Sequence, residues 1–251
     1  MDFPEPFGPR AFDPLRTYLA NLLNNLPEMP RAILMISAHW EEALPTFNTS
    51  ASPPMLYDYY GFPEHTYGLN YPAPGSPELA ARAAALLNSA GIATATNEKR
   101  GFDHGVFVPM LIVDPDATIP LVSLSLQRGL DPERHIAIGA ALAPLRDDGV
   151  LIIGSGNSYH NLSHFFDGSE RSATAFDNWL DETVSGTDPK TRNAKLTDWT
   201  RAPSARACHP REEHLLPLMV AAGAGNDAVG KRTLAFTAGG KAISCFTFGQ
   251  N

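Results

Sequence analysis

Three places along this chain carry the same short signal, and it constrains the fold more than any other feature. Asp13-Pro14, Ser76-Pro77-Glu78 and Asp131-Pro132 each set a capping side chain before a proline at the first helical position. There the missing N–H costs nothing and the fixed φ suits the helix. Short apolar runs lie between and after these starts, at 32–36, 119–126 and 150–153. They are too short for helices and suit strands buried on both faces. The expected helices run 13–25, 76–87 (stopped by Gly91), 131–145, 174–184 and 211–222, with closing strands at 233–237 and 243–248. Strands alternating with helices predict an α/β fold: a mixed, largely parallel sheet with helices on both faces, in a single domain over 1–251.

Composition narrows the function. Asp plus Glu number 27 against 19 Lys plus Arg, a formal charge of −8. A nucleic-acid partner would need a basic face, so none is expected. Two cysteines among 251 residues exclude a disulfide framework or a cysteine-based zinc ribbon. No apolar run approaches the roughly 18 residues of a membrane span, and no basic patch leads into an apolar stretch at the N-terminus. The expectation is a soluble, cytoplasmic protein with no membrane partner. Proline is in excess, 22 residues, where about 5% is usual. Six of these prolines fall in 41–76, with Tyr57, Tyr59, Tyr60, Tyr67 and Tyr71. A loop that long in a compact domain suggests a lid or binding wall.

Two of the eight histidines stand out by position. His39 follows the strand ending Ile36-Ser37-Ala38, and His160 follows the strand over 150–153 and its Gly154-Ser155-Gly156 turn. Open α/β sheets bind ligands at the carboxyl ends of their strands, where both histidines would lie. His209 and His214 flank Pro210-Arg211-Glu212-Glu213 at an expected helix start; five apart, they cannot share one helical face, so one should leave the helix. Neutral imidazole is the commonest protein ligand for zinc and iron, and histidines from separate strand ends can converge on one ion. For His135, inside an amphipathic helix, a hydrogen-bonded structural role is expected instead.

The surrounding wording is more specific. Ser37-Ala38-His39-Trp40, Tyr57-Asp58-Tyr59-Tyr60-Gly61-Phe62-Pro63 and Gly101-Phe102-Asp103-His104-Gly105 come in that order. Ser158-Tyr159-His160-Asn161 and the run from His209-Pro210 to Glu213-His214-Leu215-Leu216-Pro217 complete the set. The chain resembles the class III extradiol ring-cleavage dioxygenases of the subunit-B (LigB-like) type, and within them the bacterial relatives of DOPA extradiol dioxygenase. The similarity extends over nearly the whole chain.

The resemblance implies a LigB-like, phosphorylase/hydrolase-like α/β fold and a mononuclear non-haem metal site. That site would cleave a small catechol-type substrate with O2, in a possible homo-oligomer. It implies His39 and His214 as metal ligands, His160 as acid–base catalyst and His104 as a further active-site histidine. Tyr59, Tyr60 and His209 would contact substrate. Fe(II) would serve catalysis, and an all-histidine site also suits Zn(II), which has no redox chemistry. A catechol must lose protons on binding and a proton must later be returned, which a histidine does near neutral pH. Two other readings of the same fold are a non-catalytic Memo-like binding protein and a zinc-dependent hydrolase.

The family's remaining metal-binding histidine lies in a His-Gly-rich segment after an N-terminal strand. This chain has no histidine before His39. It is therefore expected to lack that strand and that ligand, and to hold metal through two protein ligands, or three if His160 swings in.

Overall fold

The computed structural model describes residues 10–249. In chain order the elements are α1 (Asp13–Ala20), β1 (Ala32–Glu42), β2 (Thr46–Asn48), α2 (Pro77–Ser89), β3 (Ala95–Asn97), α3 (His104–Val113), β4 (Leu121–Gln127) and α4 (Pro132–Leu142). There follow α5 (Pro144–Asp147), β5 (Val150–Ser155), α6 (Glu170–Ser185), α7 (Pro189–Thr197), α8 (Ala205–Cys208), α9 (Leu216–Ala224), β6 (Gly230–Ala238) and β7 (Lys241–Phe248).

The main sheet has the order β3-β2-β4-β1-β5. β1 runs parallel to both β4 and β5, β2 parallel to β3, and β2 meets β4 antiparallel. It is the mixed, largely parallel sheet of the expected class. β6 and β7 form a separate antiparallel pair. The period-two alternation of a strand sends Leu34 and Ile36 into one apolar core and Ile33 and Met35 into another on the opposite face. All four are at most 1% exposed. At about 1.5–3 kcal/mol for each such side chain, this alternation pins the register of β1.

The helix starts behave as their chemistry requires. Ser76 accepts the Leu79 N–H at 3.2 Å and Asp131 accepts that of Arg134 at 3.2 Å. Asp13 instead is the first helical residue and receives Arg10 Nε at 3.0 Å. The helix expected over 131–145 is two, because Pro144 cannot continue α4. The helix expected from residue 211 begins only at Leu216, with Pro217 in its first turn. Residues 211–215 are therefore irregular. His135 is a structural histidine: Nδ1 donates to the Asp131 carbonyl at 2.7 Å and Nε2 accepts from the Gln127 amide at 3.1 Å. Among the described residues no helix is long and apolar enough to cross a membrane.

Candidate active site at the carboxyl edge of the sheet

β1 and β5 run side by side as far as Ser37 and Ser155, so the chain leaving each emerges at one edge of the sheet. Past Ser37 the pairing of β1 with β4 shifts, from Ser37↔Ser125 to Glu41↔Leu126, and residues 38–40 bulge out of the ladder. Ala38 and Trp40 stay buried, at 4% and 3% exposure, while His39 is partly open. A bulge re-aims a side chain without ending the strand, and here it presents an imidazole.

Under the His39 ring the backbone has no room to spare. A Cβ at Gly105 would lie 2.8 Å from His39 Cδ2 and 2.9 Å from Ser37 Oγ. Ser37 Oγ donates to Asp103 Oδ1 at 2.7 Å, and Arg100 donates to Asp103 Oδ2 at 2.8 Å and to the His39 carbonyl at 3.3 Å. His104 opens α3, and Asp58 caps it from the tyrosine-rich loop. One carboxylate oxygen accepts both the His104 backbone N–H at 3.0 Å and ring Nδ1 at 2.7 Å. With its proton on Nδ1, His104 keeps a lone pair on Nε2.

The opposite half grows from β5 and the segment before α9. The turn expected at Gly154-Ser155-Gly156 is the end of β5 instead, and just past it a Cβ at Gly156 would meet the His214 carbonyl at 2.3 Å, so glycine lets the two segments touch. Ser155 Oγ donates to the Gly105 carbonyl at 2.6 Å and ties the halves together. The His160 amide donates to the Cys208 carbonyl at 3.0 Å, and ring Nδ1 lies 3.3 Å from Glu213 Oε1. His214 Nδ1 accepts the Asn157 amide at 3.2 Å, so the neutral ring carries its proton on Nε2.

Four imidazoles thus stand in a row. His104 and His39 have ring centres 3.9 Å apart, His39 and His214 5.0 Å, and His214 and His160 are stacked at 3.4 Å. Burial first, then the neighbouring His104, pushes His39 down to about 4, and burial with the other histidines drives His214 lower still. Both are neutral at pH 7, the form that ligates metal. Burial alone would raise the Asp58 and Glu213 carboxyls. The His104 contacts outweigh it at Asp58, and His160, the backbone and Arg211 do so at Glu213, so both lie below their ordinary values. Donor atoms of His39, Asp58 and His104 fall within 4.8 Å of one another, as do those of His160, Glu213 and His214. Neutral nitrogen donors flanked by carboxylates fit a divalent metal.

Of the residues expected at the site, His39, His104, His160 and His214 come together. Tyr59 packs edge-on against His104, ring centres 5.6 Å apart. Tyr60 does not join them: it is 91% exposed and stands in solvent. Nor does His209, expected to touch substrate, which has no exposed surface. Its Nε2 donates to the Ser158 carbonyl at 2.9 Å, and its ring packs on Phe176 and Trp199 in the core. Neither His209 nor His214 is on a helix, because 211–215 is irregular. Sequence reasoning assigned no role to Asp58 or Glu213. Their only signal was standing inside the quoted motifs, next to Tyr59 and His214.

Residues 9–247 match the family model of the catalytic LigB subunit of aromatic ring-opening dioxygenase. The chain belongs to the LigB family. It is 44% identical over 202 residues to a 4,5-DOPA dioxygenase extradiol of Beta vulgaris, covering 79% of this chain and 74% of that one. With a protein of that name from Portulaca grandiflora it shares 41% identity, over 81% and 76% of the two chains. A crystal structure of an uncharacterised Escherichia coli K12 protein superposes with a TM-score of 0.78 at 29% identity, covering 93% of this chain and 92% of that one. This LigB-family chain is an extradiol-type dioxygenase, an oxidoreductase, and LigB dioxygenases use a metal.

Proposed function

We propose that this protein opens a small catechol-type ring at the bond beside its two hydroxyls. Both atoms of O2 enter the product, which leaves as a ring-opened aldehyde and carboxylate. The observation that supports this most directly is the row of imidazoles, with neutral His39 and His214 between carboxylate-held His104 and His160.

In this reading His39 and His214 hold a single iron(II). When bound, that ion supplies the oxygen-binding and electron-transfer chemistry that no side chain here can. His39 offers its ring directly, whereas His214 must exchange its Asn157 contact for the ion. His160 takes a proton from one catechol hydroxyl and returns it when the ring opens. His104, with Nδ1 fixed on Asp58, accepts at Nε2 from the second hydroxyl. Tyr59 walls the substrate side with its ring, because its hydroxyl is already donated to the Thr66 carbonyl at 2.6 Å. The whole chain acts as one catalytic unit. Its two free cysteines fit a reducing compartment such as the cytoplasm.

The relatives' names make DOPA the first substrate to try. The test is anaerobic iron(II) loading, elemental analysis, and oxygen uptake with a catechol panel, where a yellow ring-opened product is expected. Zinc-loaded protein should be inactive, since zinc has no redox chemistry. His160→Ala should keep its metal while turnover falls by about 10²–10⁴-fold. Loss of metal in that variant would make His160 a ligand and overturn its assignment. Iron-loaded protein that consumes no oxygen with any catechol would overturn the reading itself.

A further inference from the structure

His160 hangs from a loop, with no helix or strand of its own to orient the ring. Around it a short chain of charges runs back to β1. Arg211 clasps Glu41 with both nitrogens, at 2.5 and 2.6 Å, and reaches Glu213 Oε2 at 3.4 Å. The other Glu213 oxygen lies 3.3 Å from His160 Nδ1. Its neighbour Glu212 turns away and pairs with Arg206 at 2.5 Å. Of two adjacent glutamates, then, only one faces the ring. Glu213 keeps just 16% of its side chain exposed, and each of its oxygens faces a partner. A solvated surface carboxylate would show neither property.

We propose that Glu213 is the positioning residue of His160: its carboxylate, held by the Arg211–Glu41 clasp, keeps the imidazole proton on Nδ1 and turns the Nε2 lone pair toward the substrate. The bond made by one ring nitrogen decides which nitrogen carries the proton, so a carboxylate at Nδ1 selects the tautomer that can act as base through Nε2. Asp58 holds His104 more closely, by a hydrogen bond of 2.7 Å against the 3.3 Å approach of Glu213 to His160, so the site has two carboxylate–imidazole pairs. Glu41 lies two residues beyond His39 on β1, so the clasp also ties the orientation of His160 to the strand that carries His39.

The proposal rests on the proton-transfer role given to His160 above, and its test separates the two. In Glu213→Leu, kcat should fall about 10–100-fold, with KM and metal content close to the parent's. Glu213→Gln, whose amide oxygen accepts the same N–H without charge, should recover most of that loss. In metal-free protein at neutral pH, ring ¹⁵N shifts of His160 should report a proton on Nδ1 in the parent and in Glu213→Gln. In Glu213→Leu they should move toward the other tautomer. If both variants lose metal together, Glu213 is a ligand and the proposal fails. It fails equally if the His160 shifts and kcat stay unchanged in Glu213→Leu. Should His160→Ala retain full turnover while Glu213→Leu still moves the ring shifts, the orienting contact stands and the catalytic reading falls.

Discussion

The two halves of the site hold similar groups in different ways. His39 sits on a strand of the central sheet, over a glycine, backed by Ser37 and Asp103, both 0% exposed. His160 and His214 come from irregular segments held by charged pairs whose arginines are about half exposed, Arg206 at 51% and Arg211 at 53%. In the first half the ring is set by the fold. In the second the lone pair of His214 is engaged by the Asn157 amide. One half is therefore a scaffold and the other adjusts, an arrangement that suits a site admitting both metal and substrate.

The largest expected difference is in stability. Asp103→Ala should cost about 3–5 kcal/mol in denaturant unfolding, because it leaves the mostly buried Arg100 guanidinium without its carboxylate. A loss below about 1 kcal/mol would mean that the scaffold half is no better braced than the other.

Acid should act next. His209, under the second half, is held at about 4 by burial, against 6.5 for the free side chain. Below pH 6.5 the unfolded chain binds a proton that the folded chain refuses. This stability is therefore complete above pH 6.5 and lost as pH falls toward 4, on the order of 3 kcal/mol. Thermal melts across that range should show the decline. His209→Gln, which can still donate to the Ser158 carbonyl, should make it shallower and leave the shares of His39, His135 and His214, which burial also depresses.

Gly105→Ala should cost about 1–3 kcal/mol by crowding the His39 ring, and should weaken metal binding in a titration. Unchanged affinity would show that His39 can shift without penalty. The smallest effect belongs to the exposed charges: Arg206→Ala should change stability by less than about 1 kcal/mol.

The contrast also explains how far the sequence could be read. Ser76 and Asp131 announced their helices because capping is local, and the apolar run at 32–36 announced the strand that pairs between β4 and β5. α3 went unseen because Pro109 lies inside it, where helices rarely tolerate one. His160 was legible because the run at 150–153 marks the strand before it; His39 was legible from the run at 32–36, although β1 does not end there but bulges and continues to Glu42. Asp58 and Glu213 were not: Asp58 is 46 residues from His104 and Glu213 far from His160 along the chain, so only folding pairs them. Spacing alone did not say which of His209 and His214 would point into the site. What separates them is the aromatic pair of Phe176 and Trp199, which claims one ring for the core.

The bulge at residues 38–40 also has a consequence for motion. These residues sit outside the ladder to β4, while paired stretches lie on both sides of them. Amide exchange along β1 should therefore show a faster island between two slow stretches, because opening there breaks no rung of the sheet. The His39 amide, which donates to Ser37 Oγ at 3.1 Å, would be its centre. Small excursions of that island would let an ion enter or leave over His39 while the rest of the strand stays zipped. The exchange time of the metal would then be set by a local opening, far shorter than the lifetime of the fold.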